Sequence, residues 1–387
     1  MFKHPRLPTV FLWIAACCSA CWTARGEAPQ RWPVERAAAW QARHPWLVGC
    51  NFIPSSAANQ LEMWQADSFD PATIDRELGW AHGLGLNSVR VFLHNLVWEH
   101  DRAGLIQRMD RFLALAQKHR IGVVFVPLDG CWDPQPRLGK QPDPVPHLHN
   151  SRWLQAPGAA ILNDPQRHER LRGYIVGVIG HFRDDPRVDA WDLFNEPDNP
   201  NGQSYGASGK GTELSPERKA QMATLLLEKA FSWARAAGPS QPLTAGLWQG
   251  DWSKPDALSP INRLMLEQSD VLSFHGYGNL EAMRRSVEAL KAHRRPVLCT
   301  EYMSRGSGCT FDPVLGYLKQ QRVGAYHWGL VAGKTQTQYP WESWRRRFTA
   351  EPEVWFHDVL RPDGTPFDPA EVKFIREATG KERRGGT

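Results

Sequence analysis

"AWDLFNEPDN", Ala190–Asn199, begins as an apolar strand and ends abruptly at Asn195-Glu196-Pro197. Proline has no N–H for a ladder and restricts the residue before it, so it stops the strand there. A carboxylate at the tip of a buried strand is costly unless something pairs with it or uses it. Two questions follow: what kind of sheet this strand belongs to, and whether a second carboxylate ends another strand.

The neighbouring sequence answers the first. Apolar runs recur at "WLVGCNF" (46–52), "NSVRVFL" (87–93), "IGVVFVPL" (121–128) and "VDAWDLFNEP" (188–197). They continue at "PLTAGLWQG" (242–250), "DVLSFHGYG" (270–278), "PVLCTEYM" (296–303) and "VGAYHWGLVAG" (323–333). Between them lie segments with apolar residues at helical spacing, such as Leu105, Met109, Phe112, Leu113 and Ala116, or Leu280, Met283, Val287 and Leu290. Continuous apolar strands joined by helical crossovers make a parallel sheet, and eight of them close into a barrel. The expected fold is α/β, a (β/α)8 TIM barrel forming a single catalytic domain over 46–380. An N-terminal export signal (1–28) and a Pro/Arg-rich lead-in linker (29–45) precede it, and a basic flexible tail (381–387) follows.

In such barrels chemistry sits at the carboxyl ends of the strands. Read in order, those ends carry Asn51, Arg90 and His94, Asp129, Asn195 and Glu196, Trp248 and Gln249, His275 and Tyr277, Glu301, and Trp328. Barrel packing gives no reason for such a polar and aromatic rim. Glu301, after "PVLCT", is the second carboxylate. Two facing carboxylates suit glycoside hydrolysis, and a separation of about 5–5.5 Å suits the retaining mechanism. The acid then needs a raised pKa and the nucleophile needs donors that keep it ionised. Arg90 and Tyr277 are placed to serve Glu301. Asn195 is placed to bond a sugar hydroxyl. Asp192 shares the strand parity of Glu196 and is a candidate structural partner for Arg90 or a neighbouring donor.

The order Arg90, Asn195-Glu196-Pro197, His275-Gly276-Tyr277, Glu301 and Trp328 resembles the clan A glycoside hydrolases, and most of all glycoside hydrolase family five, the cellulase/mannanase-like group. The resemblance covers about 47–333. It implies a retaining mechanism without metal or organic cofactor, with Glu196 as acid/base and Glu301 as nucleophile. It further implies Asn195 touching the sugar, Arg90 and Tyr277 supporting the nucleophile, His275 lining the site and Trp328 as the aromatic floor. The sequence departs from the family near the end of strand three, where a histidine is common and "FVPLDGCWD" offers Asp129 and Trp132. "WFHDVLRPDGTPFDPAEVKFIREATG" resembles a C-terminal closing segment and carries no chemistry that the sequence reveals.

Eighteen Trp in 387 residues is high, and indole is a natural platform for sugar rings. Trp64, Trp132, Trp248 and Trp252 are therefore expected over sugar units, with some packing loops instead. Asp129, Gln249, Asp251 and Lys334 are expected to bond hydroxyls. His147 and His149 lack a third ligand at useful spacing and are expected to be solvated or to brace their loop rather than bind metal. That loop, from Asp129 to Asn163, is long for a barrel connection and is expected to block one end of the cleft, favouring exo action or short oligosaccharides.

The remaining features bound partners and location. Net charge is +5, with basic runs only at Arg345–Arg347 and in the tail. Such runs are solvated faces, so no nucleic-acid partner is expected. Lys3 and Arg6 precede a short apolar segment (7–16) of export-signal form, too short to span a membrane. "IAAC" resembles a bacterial lipobox, which would place a lipid anchor on Cys17; the alternative is ordinary cleavage near Ala24 or Ala28. The expected location is periplasm, outer membrane as a lipoprotein, or secreted. Of seven Cys, those outside the signal (Cys50, Cys131, Cys299 and Cys309) lack C-x-x-C spacing, which excludes a common zinc pattern and a disulfide framework and leaves one bridge open, with Cys309 in a loop. A monomer is expected. Three functions fit: a hydrolase of a β-linked glucan, mannan or xylan type oligo- or polysaccharide, a transglycosylase with the same site, and a non-catalytic carbohydrate-binding barrel.

Overall fold

The computed structural model describes residues 1–2, 30–201 and 214–382. The export signal and lipobox, apart from Met1 and Phe2, and the last residues of the tail lie outside the described residues. Eight parallel strands form the barrel. They are β1 (Val48–Asn51), β2 (Ser88–Phe92), β3 (Gly122–Val126), β4 (Val188–Asp192), β5 (Leu243–Thr244), β6 (Leu272–Gly276), β7 (Val297–Tyr302) and β8 (Gly324–Trp328). Ladders link them in the order β5-β4-β3-β2-β1-β8-β7-β6. The ring closes where Leu247 N donates to the Ser273 carbonyl (3.0 Å) and His275 N to the Leu247 carbonyl (2.8 Å). β5 is shorter than its apolar run because the chain leaves the ladder at Ala245, whose N–H donates to Ser269 Oγ instead (3.2 Å).

Side-chain alternation sorts the barrel into layers. Val89, Val91, Val123, Phe125 and Trp191 point outward into the main core beneath the helices. Val124, Ala190, Val271, Leu298 and Tyr326 form a lower layer with Trp32, Ala37, Trp40 and Leu47. The lead-in is thus more than a linker. It holds a helix, Val34–Arg43, and plugs the floor of the barrel, because Ala37 and Trp40 fall on one helical face. Above that layer the interior turns polar, with Arg90 and Asp192 fully buried.

Two local features aim the mouth. Leu128–Asp129 pairs in parallel with Phe194–Asn195, extending β3 and β4 and setting Asp129 beside Asn195. β7 carries one extra residue relative to both neighbours: Cys299 faces Phe274 and Glu301 faces His275, leaving Thr300 unpaired. Simple alternation from the inward Leu298 would turn Glu301 outward. The bulge at Thr300 restores it to the interior.

No helix among the described residues is long and apolar enough to cross a membrane. Cys50, Cys131, Cys299 and Cys309 are buried free thiols, so the bridge left open at Cys309 is not formed.

Candidate active site

Glu196 sits where the chain turns out of the extension of β4. Its φ of +37° is in the left-handed region, unusual for a non-glycine residue and more so before proline. The turn is held by Asn199 N donating to the Glu196 carbonyl (3.0 Å). Opposite it, Gly130 leaves room that no other residue could: a Cβ there would come 2.0 Å from the Glu196 carbonyl oxygen.

Glu301 is clamped by donors. Arg90 Nη1 donates to Glu301 Oε1 (2.9 Å) and the Tyr277 hydroxyl to Oε2 (2.8 Å). Arg90 is itself fixed by Asp192 (2.9 Å), Asn51 (2.7 Å) and Asn195 (2.8 Å). Every part of its guanidinium fork therefore has a partner, as a buried cation requires.

Glu196 has a different environment. Asn199 Nδ2 donates to its Oε2 (2.6 Å) and Cys131 Sγ lies 3.4 Å from the same oxygen. His275 Nδ1 meets its Oε1 at 2.8 Å and lies 3.5 Å from Glu301 Oε2. Burial lowers the His275 pKa to about 4, so the imidazole is neutral at neutral pH. The short contact between His275 and Glu196 then holds a single proton, on the imidazole or on the carboxyl group.

Burial pushes both carboxyl groups above the usual carboxylate range. On Glu301 the opposing pulls come from His275 and Arg90, then the Tyr277 hydroxyl. With His275 neutral, Arg90 is the cation that acts at neutral pH. Glu196 touches no permanent cation, and Asp198 nearby pushes it further up. The direct contact with Arg90 thus favours the ionised form of Glu301, a contact that Glu196 lacks.

One oxygen of each carboxylate and one nitrogen of His275 lie within 4.8 Å of one another. Among the described residues this is the one such cluster with metal-ligand spacing. Both Glu301 oxygens already accept hydrogen bonds from Arg90 and Tyr277, an arrangement that favours proton chemistry over metal binding.

A cavity of about 400 Å³ opens over the pair. Asn195, Glu196, Tyr277, Glu301, Trp328, Trp132 and Trp248 line it, as the sequence suggested. Arg90 and His275 lie just beneath, acting on the carboxylates. Other expected contacts fall elsewhere. Trp64 is in the core, its Nε1 donating to the Phe92 carbonyl (2.7 Å) and its ring against Phe69 and Phe112. Trp252 packs on Phe274, its Nε1 bonded to the Gln249 carbonyl. Lys334 pairs with Glu62, away from the cavity. Asp129 is fully buried and pushed up to about 7 by burial. It accepts from Asn195 Nδ2 (3.0 Å), Trp153 Nε1 (2.7 Å) and Gln60 Nε2 (3.1 Å), so it positions Asn195 instead of meeting a sugar. Gln249 is tied to Asp198, and Asp251 is exposed beside Ser253 and Lys254.

Several cavity residues escaped the sequence reading. Cys131, Trp153, Asn199 and Asn201 come from the loops around Gly130 and Pro197. Trp341, Arg345 and His357 come from beyond β8, Arg345 from the run expected to be a solvated face and His357 from the closing segment expected to carry no chemistry. The Trp-rich "YPWESW" was the available signal for Trp341.

No protein-family model matches the chain. Two curated relatives, both named probable mannan endo-1,4-beta-mannosidase F, from Aspergillus flavus and Aspergillus oryzae, are each 24% identical over 213 residues. That stretch is 53% of this chain and 43% of the relatives, so the match spans less than half of their length. Among solved structures, a GH5_18 enzyme from Streptomyces cattleya in complex with GlcNAc aligns with TM-score 0.56 at 15% identity, over 88% of this chain and 81% of its own. The endo-beta-1,4-mannanase from Thermotoga petrophila gives 0.55 at 14% identity, over 88% and 78%. The exo-beta-1,4-mannosidase Op5Man5 from Opitutaceae bacterium strain TAV5 gives 0.55 at 18%, over 87% and 59%. These structural likenesses show a shared barrel fold, and with the curated relatives they support the resemblance to glycoside hydrolase family five.

Proposed function

We propose that the protein is a retaining β-glycoside hydrolase acting on a β-linked, mannan-type oligo- or polysaccharide. The observation that carries this is the buried pair of carboxylates in unlike environments, Glu301 held by Arg90 and Tyr277, Glu196 beside a neutral His275. The mannan preference rests on the names of the curated relatives.

In this reading the sugar lies on Trp328 with its anomeric carbon above Glu301. Glu301 attacks that carbon while Glu196 gives its proton to the departing glycosidic oxygen. Glu196, now ionised, then takes a proton from water, which displaces Glu301. The Arg90 guanidinium keeps Glu301 ionised for attack. Asn195, fixed between Arg90 and Asp129, presents its remaining amide capacity to the sugar. The same proposal takes the chain as exported, on the form of residues 1–28, and as a monomer.

A panel of aryl β-glycosides (mannoside, glucoside, xyloside) tests it. Turnover of the mannoside, abolished in Glu301→Ala, is expected. Turnover by Glu301→Ala at the wild-type rate would refute the nucleophile assignment.

A further inference from the structure

Three loops above the barrel are tied into one wall. His147 Nδ1 shares a 2.6 Å hydrogen bond with the Tyr339 hydroxyl, and His147 N donates to Gln336 Oε1 (2.8 Å). His149 N donates to Ser343 Oγ (3.1 Å), and Trp344 Nε1 donates to the His149 carbonyl (2.8 Å). Asn150 N donates to the Thr335 carbonyl (2.8 Å). These bonds join the loop after β3 to the loop after β8. The loop after β1 braces both, through Asn59 Nδ2 on the Arg152 carbonyl (2.9 Å) and the Ser55 carbonyl accepting from Lys334 N (3.0 Å). Trp248, after β5, takes no part; its Nε1 donates to Asp198 on the other side of the cavity (2.6 Å).

The position of this wall relative to the carboxylates gives it a consequence. The leaving-group oxygen must lie beside Glu196, at the end of β4. The departing part of the substrate then leaves past Asn199 and Trp248. The part that stays on Glu301 points the opposite way, toward the wall, where Trp132, Trp341 and His357 close on the cavity. The volume of about 400 Å³ is near the lower end for organic-ligand sites, which run from about 300 to 1,000 Å³.

We infer that the wall ends the site on the glycone side, so that the enzyme takes the non-reducing end of its chain and releases a mono- or disaccharide from it. This rests on the hydrolase reading above. Each event breaks one anomeric C–O bond, replaces it with one to water oxygen and returns the proton to Glu196.

The test uses β-1,4-mannohexaose and cellohexaose labelled at the reducing end, with products separated at early times. The expected result is an unlabelled mono- or disaccharide together with a labelled chain that shortens stepwise from the far end. Tyr339→Phe, which removes the bond to His147 outside the cavity, is expected to raise the share of internal cuts while leaving aryl-glycoside turnover unchanged. Labelled fragments of all lengths from the earliest times in the wild type overturn the wall and leave the hydrolase reading standing. No turnover of either hexaose or of any aryl glycoside overturns the hydrolase reading itself.

Discussion

Arg90 and Glu301 form a buried ion pair at 2.9 Å, whereas Glu196 faces the same cavity with no permanent cation in contact. In the proposed mechanism that asymmetry divides the labour between two otherwise identical side chains.

Its first consequence concerns Arg90. Arg90→Met leaves Asp192 and Glu301 buried without their counter-charge, and breaking such a pair costs about 3–5 kcal/mol. The variant should melt well below the wild type and lose nearly all turnover. Arg90→Lys restores charge without the fork and should recover more stability than activity. Thermal unfolding alongside aryl-glycoside kinetics checks both.

The pH profile follows from the environments of the carboxyl groups. Burial raises Glu196, so its proton persists upward in pH and activity is lost as pH rises through its elevated pKa. The acidic limb reports Glu301, which must be ionised to attack. Asn199 Nδ2 stabilises the ionised form of Glu196. Asn199→Ala should therefore move the basic limb of kcat/KM upward and leave the acidic limb in place. A basic limb that stays put in this variant would detach it from Glu196.

Two tryptophans separate binding from folding. Trp132 lines the cavity and Trp64 is buried in the core. Trp132→Ala should raise KM about tenfold, the equivalent of about 1.4 kcal/mol of binding, with kcat little changed. Trp64→Ala should cost about 3–5 kcal/mol of stability and leave KM of the surviving enzyme unaltered. Kinetics and urea unfolding on the two variants distinguish the roles.

Removing either carboxylate should produce a distinct chemical signature. Glu301→Ala should lower kcat by about a thousandfold or more, and added azide should restore turnover as the α-glycosyl azide. Glu196→Ala with azide should instead give the β-glycosyl azide. Both products follow by NMR, and exchanging them would exchange the two assignments.

The barrel and the pair of glutamates were legible because apolar strand runs and the residues that end them are local features of sequence. Neither inward aim follows from parity along its strand. Leu193 and Phe194 both pack in the outer core before Asn195 turns inward and Glu196 takes its left-handed turn, and Glu301 depends on the bulge at Thr300, which "PVLCTEYM" does not advertise. Trp64 and Trp132 look alike in sequence because each follows a strand in a loop. Only tertiary packing separates a ring seated on Phe112 from one facing the cavity. The cavity wall from Trp341, Arg345 and His357 was hidden because it comes from chain beyond the last strand, where no strand-end rule points. The floor helix, Val34–Arg43, was hidden by its charged residues, which flank the buried Ala37 and Trp40.

The central claim is that Glu301 and Glu196 carry out a double displacement across a short gap. The most direct measurement is proton NMR of the first anomer released from an aryl β-mannoside, recorded before mutarotation. Double displacement releases the β-anomer first, with the α-anomer appearing only as mutarotation proceeds. The α-anomer appearing first would contradict it.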